Sequence, residues 1–113
     1  MDILLILQII AALITAATGL LALVKPSAAY GFTGLTAPGA RGVTEMRAIF
    51  GGLFIALGIT PLFLGSVAYV MLGIGYLAIA AARGFSIVYD KSFDRSNWIS
   101  LGIEIVLGII FII

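Results

Sequence analysis

Neither histidine nor cysteine occurs among the 113 residues of this sequence. Without them there is no thiolate or imidazole to hold a metal or haem, no Ser-His or Cys-His nucleophile pair and no disulfide. Charge is almost as scarce. Six Lys or Arg and five Asp or Glu leave a formal net charge of +1 and a charged fraction of 10%, against roughly 25% in soluble domains. So small a charge gives none of the basic field that nucleic-acid binding requires, and nucleic acid is not an expected partner. What fills the chain is apolar, with 63% hydrophobic residues and a mean hydropathy of +1.29. The expected solvent is therefore the lipid bilayer.

Crossing the hydrocarbon takes about 20 apolar residues at ~1.5 Å each. Four stretches reach or approach that length: 3–24, 45–64, 67–87 and 97–113. The first ends at Lys25-Pro26, a cation placed on the last carbonyls and then a residue that cannot continue the helix. With Asp2 where a basic region should stand, and an apolar run longer than a signal peptide needs, this helix is expected to be retained. The second opens with Thr44 as an expected N-cap and Glu45 in the first turn, where a negative charge suits the helix dipole. Only Leu64-Gly65-Ser66 separates it from the third, so a tight turn is expected there. The fold class is all-α, an integral membrane four-helix transmembrane bundle forming a single domain.

The basic residues set an expected orientation. Lys25, Arg41 and Arg47 flank the loop between the first and second stretches, and Arg83, Lys91 and Arg95 flank the loop between the third and fourth. By the positive-inside rule both loops face the cytoplasm and both termini lie on the outer side of the cytoplasmic membrane. Tyr30, Phe32, Tyr89 and Trp98 fall near those loops as expected interfacial anchors.

Against this background the charges inside the apolar stretches stand out. Glu104 lies seven residues into the fourth stretch, roughly 10 Å below the interface, where an isolated carboxylate costs several kcal/mol. At the same depth the other helices carry Thr15 and Thr18, Gly51 and Gly52, and Ala80. Such small or hydroxylated residues permit close backbone approach and interhelical hydrogen bonds. Arg83 is one turn nearer the cytoplasm, and Arg47 is close to the interface. The expectation is a buried polar cluster in which Glu104 is held by Arg83, by Arg47 or by both, with Thr15 or Thr18 completing its hydrogen bonds. Two roles are open to it: a satisfied ion pair that fixes helix register, or a proton or ligand site. Glu45, two residues from Arg47, points to a different side of its helix and is an interfacial charge rather than a partner. Gln8 is too far away in depth to join the cluster; it either bonds across helices or faces a partner. Gly73-x-Gly75 has no strand before it and does not read as a nucleotide loop. Asp90 and Asp94, interleaved with Lys91 and Arg95, read as a solvated loop rather than a cation site.

"E-x-R-A-x-F-G-G" at residues 45 to 52, "R-G-F-S-I-V-Y-D" at 83 to 90 and a glutamate in the last helix together resemble one family. It is the domain of unknown function 4345 group, small four-helix bacterial membrane proteins distantly similar to DoxX-like proteins. The resemblance places Glu45, Arg47, Ala48, Gly51 and Gly52 in the helix-two signature and Arg83, Ser86, Asp90 and Glu104 at later polar positions. The family pattern has an aromatic, usually tyrosine, where Phe50 stands, and glycine where Ala82 and Lys91 stand. It implies a fold and a polar set, with no agreed activity attached.

Two functions follow as expectations. The first is a non-catalytic accessory subunit that stabilises a larger membrane assembly, such as a respiratory or photosynthetic one, with other membrane subunits as partners beside the bilayer and with no cofactor, metal or catalytic residue. Small residues occur on several faces, and helix one, through Gln8, Ala12 and Ala16, is the expected contact. The second is a small proton-coupled carrier, or a membrane protein that binds a lipid or small molecule, using Glu104. An enzyme ranks below both, because one buried carboxylate is a thin catalytic set.

Overall fold

The computed structural model describes residues 2–113, except for the side-chain surroundings of residues 31 and 32, so the anchoring expected of Phe32 lies outside the described residues. Among the described residues the structure is all-α. Its elements are α1 (Ile3–Val24), a 3-10 turn (Pro26–Ala29), α2 (Tyr30–Thr33), α3 (Gly39–Glu45), a π-helical segment (Met46–Leu53), α4 (Phe54–Leu64), α5 (Ser66–Tyr89) and α6 (Arg95–Ile112). Four helices, Ile3–Val24, Gly39–Leu64, Ser66–Tyr89 and Arg95–Ile112, are long and apolar enough to cross a membrane. The chain divides into two compact units, residues 9–64 on one side and residues 1–8 with 65–113 on the other.

In the first unit α1 runs against the second long helix along a seam of small residues. A β-carbon at Gly58 would lie 2.5 Å from both the Ala12 carbonyl oxygen and the Ala16 amide nitrogen, and one at Gly19 would lie 2.7 Å from the Gly51 carbonyl oxygen. Backbone atoms cannot step aside for an added methyl, so the absence of side chains is what lets the two helices touch. Without a hydrophobic drive inside lipid, this close packing is what holds a helix pair together. Ala12 and Ala16, expected on an outer face, are buried in this seam. Of the glycine pair, Gly51 packs against Leu23, whereas Gly52 is exposed and meets nothing but its own helix.

The second long helix also starts earlier than its hydropathy indicates. Thr44 is no N-cap: its hydroxyl donates to the Ala40 carbonyl from inside the helix at 3.0 Å. The helix begins at Gly39, after Pro38 in extended backbone. Its first turns are polar and carry an exposed Arg41–Glu45 pair at 3.2 Å, the i, i+4 spacing that faces side chains along a helix. Polarity there marks a helix that protrudes, not a loop. From Met46 the winding changes to π, a rare form usually limited to single-turn bulges. Buried Met46 and Gly51 are five residues apart, and Gly51 and Gly58 seven. The π winding through Leu53, running into α4, keeps all three buried.

The second unit is an α5–α6 hairpin joined by the loop 90–94. Residues 69, 73, 76, 80, 83 and 87 of α5 and 97, 101, 104, 108 and 111 of α6 recur at alternating spacings of four and three, the seam of two antiparallel helices. A β-carbon at Gly73 would lie 2.8 Å from that of Phe111 and 2.9 Å from the Gly108 carbonyl oxygen. The Phe111 ring stacks on both Tyr69 and Tyr76, with centroids 6.0 and 5.8 Å apart. At the end of α5 the Ser92 amide donates to the Ile87 carbonyl at 3.0 Å while Lys91 takes φ +55. This is a Schellman stop with a left-handed residue at the position glycine favours, and the lysine stands where the family resemblance has glycine. The helix bounds extend the expected 67–87 and shift 97–113 toward the loop, because polar Arg95 and Ser96 continue α6 outside the apolar run.

Candidate functional site

Glu104 sits in the α5–α6 seam with its side chain 11% exposed, and Arg83 meets it side-on. Arg83 Nε donates to Oε1 and Nη2 donates to Oε2, each at 2.8 Å. This bidentate fork is the strong, geometrically specific form of a carboxylate–guanidinium contact. Heptad spacing produces it: Arg83 occupies a seam position of α5 and Glu104 one of α6, so antiparallel packing brings them level. The Arg83 side chain is 30% exposed, and partial exposure lowers the cost of placing a cation in an apolar helix.

The network continues outward. Arg83 Nη1 donates to Asn97 Oδ1 at 2.9 Å, and Asn97 Nδ2 donates to the Ser92 hydroxyl oxygen at 2.7 Å and to its carbonyl at 3.2 Å. Asn97 and Ser92 were not singled out by the sequence reading. The signal available was Asn97 seven residues before Glu104, two turns up the same face of a helix that is otherwise apolar at its seam. Ser86, one turn along from Arg83, donates its hydroxyl to Asp90 Oδ2 at 2.6 Å.

The other residues expected at the site make contacts of their own within their units. Arg47 Nη1 donates to the Leu23 carbonyl at 2.8 Å, one of the last four carbonyls of α1, which have no partner within the helix. It therefore caps α1, and of the two arginines offered to Glu104 the bidentate partner is Arg83. Thr15 is buried and Thr18 half-buried, and each donates its hydroxyl to the carbonyl four residues earlier, Ala11 and Ile14 respectively, at 2.9 Å. Glu45 pairs with Arg41 in solvent. Gln8 makes a cross-helix bond, donating from Nε2 to the Ile110 carbonyl at 2.9 Å. Ala80 is buried in α5, and Tyr89 and Trp98 are exposed beside the loop 90–94.

An all-α chain with four helices of spanning length and an ion pair set within two of them is a membrane protein. It belongs to the family described as Domain of unknown function (DUF4345), which matches residues 3–113. No curated protein and no solved structure matches the chain.

Proposed function

We propose that this protein is a non-catalytic subunit of a larger membrane assembly, multi-pass in the cytoplasmic membrane with both termini on the outer side. The observation that carries the reading is the closed state of the Arg83–Glu104 pair. Both carboxylate oxygens accept from one guanidinium, which is itself tied to Asn97. A carboxylate that ferries protons has to part from its cation in each cycle, whereas one that fixes register stays forked. The orientation is supported by the placement of all six basic residues beside the loops after α1 and α5.

The small residues of α1, Ala11, Ala12, Thr15, Ala16, Gly19 and Ala22, are all buried, which favours a small-residue contact elsewhere. The exposed side of α6 offers such a surface. There Gly102 has nothing within 4 Å of where a β-carbon would stand, and it shares a shallow apolar groove with Trp98, Ile99, Ile103 and Val106. A glycine on the floor of an apolar groove lets a partner helix approach closely. Mild extraction of the native protein is expected to yield a particle far larger than the 11.8 kDa chain, and Gly102→Trp is expected to release the chain with its helicity unchanged. If the native protein runs alone and reconstituted vesicles show proton-coupled uptake that Glu104→Gln abolishes, the carrier reading replaces this one.

A further inference from the structure

The Arg83 guanidinium carries five N–H groups, and the ion pair and Asn97 take three of them. Two remain, one on each terminal nitrogen. Arg83 lines a groove of about 360 Å³ together with Ile79, Ala82, Ser86 and Asn97. In bulk water two spare donors would mean nothing. Six residues inside the end of α5, roughly 9 Å along the helix, water is scarce and donors are met by whatever acceptors the membrane supplies. Lipid phosphate and ester oxygens are the acceptors at that level, and basic pockets between membrane helices are known to hold lipid head groups.

Two further features narrow the ligand. One turn beyond Ser86, which lines the groove, Asp90 is exposed and bound to Ser86 through Oδ2 only, which leaves Oδ1 able to accept. Because Glu104 already neutralises Arg83, the added carboxylate tilts the site away from a purely anionic head and toward one that also brings a positive N–H donor. In the other direction, Gly75, Ala78, Ile79 and Ala82 follow one another on the exposed side of α5, with open space around Gly75. That smooth strip leads from the groove toward the middle of the span and suits an acyl chain.

We infer that the groove beside Arg83 binds a zwitterionic amphiphile, its phosphodiester on the two free Arg83 N–H groups, its primary ammonium on Asp90 and an acyl chain along Gly75, Ala78 and Ala82. The inference needs the membrane setting alone and stands apart from the proposed subunit role.

Delipidated full-length protein in detergent is titrated separately with phosphatidylethanolamine, phosphatidylglycerol, phosphatidylcholine and soluble glycerophosphoethanolamine, with bound lipid counted by native mass spectrometry and Tm followed in parallel. Phosphatidylethanolamine is expected to be retained best and to raise Tm. Ala82→Phe, which fills an exposed groove without touching the ion pair, is expected to reduce its retention about tenfold, equivalent to roughly 1.4 kcal/mol. Asp90→Asn is expected to erase the preference over phosphatidylglycerol and leave helicity unchanged. Weaker stabilisation by glycerophosphoethanolamine is expected, and stabilisation equal to that by the lipid would overturn the acyl-chain assignment. Equal retention of all three lipids by the wild-type protein, or retention insensitive to Ala82→Phe, would overturn the assignment.

Discussion

Arg83 and Glu104 are each other's answer to an apolar setting, but not symmetrically. Glu104 has a short stem and is held in the seam, whereas Arg83 has a long one and is the more exposed of the two. Removing the carboxylate leaves a cation that can swing outward to water or lipid phosphate. Removing the guanidinium leaves a carboxyl group fixed in the seam without the partner that satisfied both of its oxygens. Breaking a buried pair costs about 3–5 kcal/mol, and the partial exposure of Arg83 puts Glu104→Ala at or below the lower end of that range. Arg83→Ala is expected to cost more than Glu104→Ala, and Glu104→Gln less than either, in unfolding measured by denaturant in mixed micelles. A double-mutant cycle should return a clear coupling energy; additive losses, or the reverse order of the two alanine variants, would contradict the pairing described. Arg47 is a different case: it caps α1 from an exposed position, so its loss is expected to be small.

Among the elements, what separates one glycine from another is what faces it. Gly58 lies against backbone atoms of α1, so Gly58→Ala forces the helices apart, an overpacking cost of about 1–3 kcal/mol. Gly75 faces open space, and Gly75→Ala should be neutral or slightly stabilising through helix propensity. Thermal melts of the two variants measure the contrast; similar Tm values would mean that the α1 seam is looser than its geometry. The same element-level distinction explains the helix-two double glycine. Gly51 is in the seam and Gly52 is outside it, because the π turn between Met46 and Gly51 sets which of the two turns inward. Adjacent identical residues carry no mark of which will pack.

For the whole molecule the testable property is topology. Ser66 begins α5 beside the turn at Gly65, and Ser92 lies in the loop between α5 and α6. A helix of 24 residues separates them, about 36 Å along its axis and enough to cross the hydrocarbon. In an otherwise cysteine-free chain, Ser66→Cys is expected to react with an impermeant thiol reagent from outside intact cells. Ser92→Cys should react only after the membrane is opened. Reaction of both from one side would contradict a spanning α5.

Composition and hydropathy by themselves determined that this is an all-α membrane chain with four helices of spanning length, because burial in lipid demands long apolar runs and allows few charges. The lone carboxylate at Glu104 was legible for the same reason, and Arg83 was legible as a candidate by its depth. The fork between Arg83 and Glu104 was not, since depth along a helix says nothing about direction around it, and the heptad seam of α5 and α6 is what brings this guanidinium to the carboxylate. Asn97 and Ser92 escaped notice because they sit in polar sequence at a helix start, where such residues are ordinary. The start of helix two at Gly39 was hidden because its first turns lie outside the apolar run, and the π segment because no local residue pattern encodes it. The inward use of Ala12 and Ala16 was decided by Gly58, far along the chain, whose missing side chain is the space they fill.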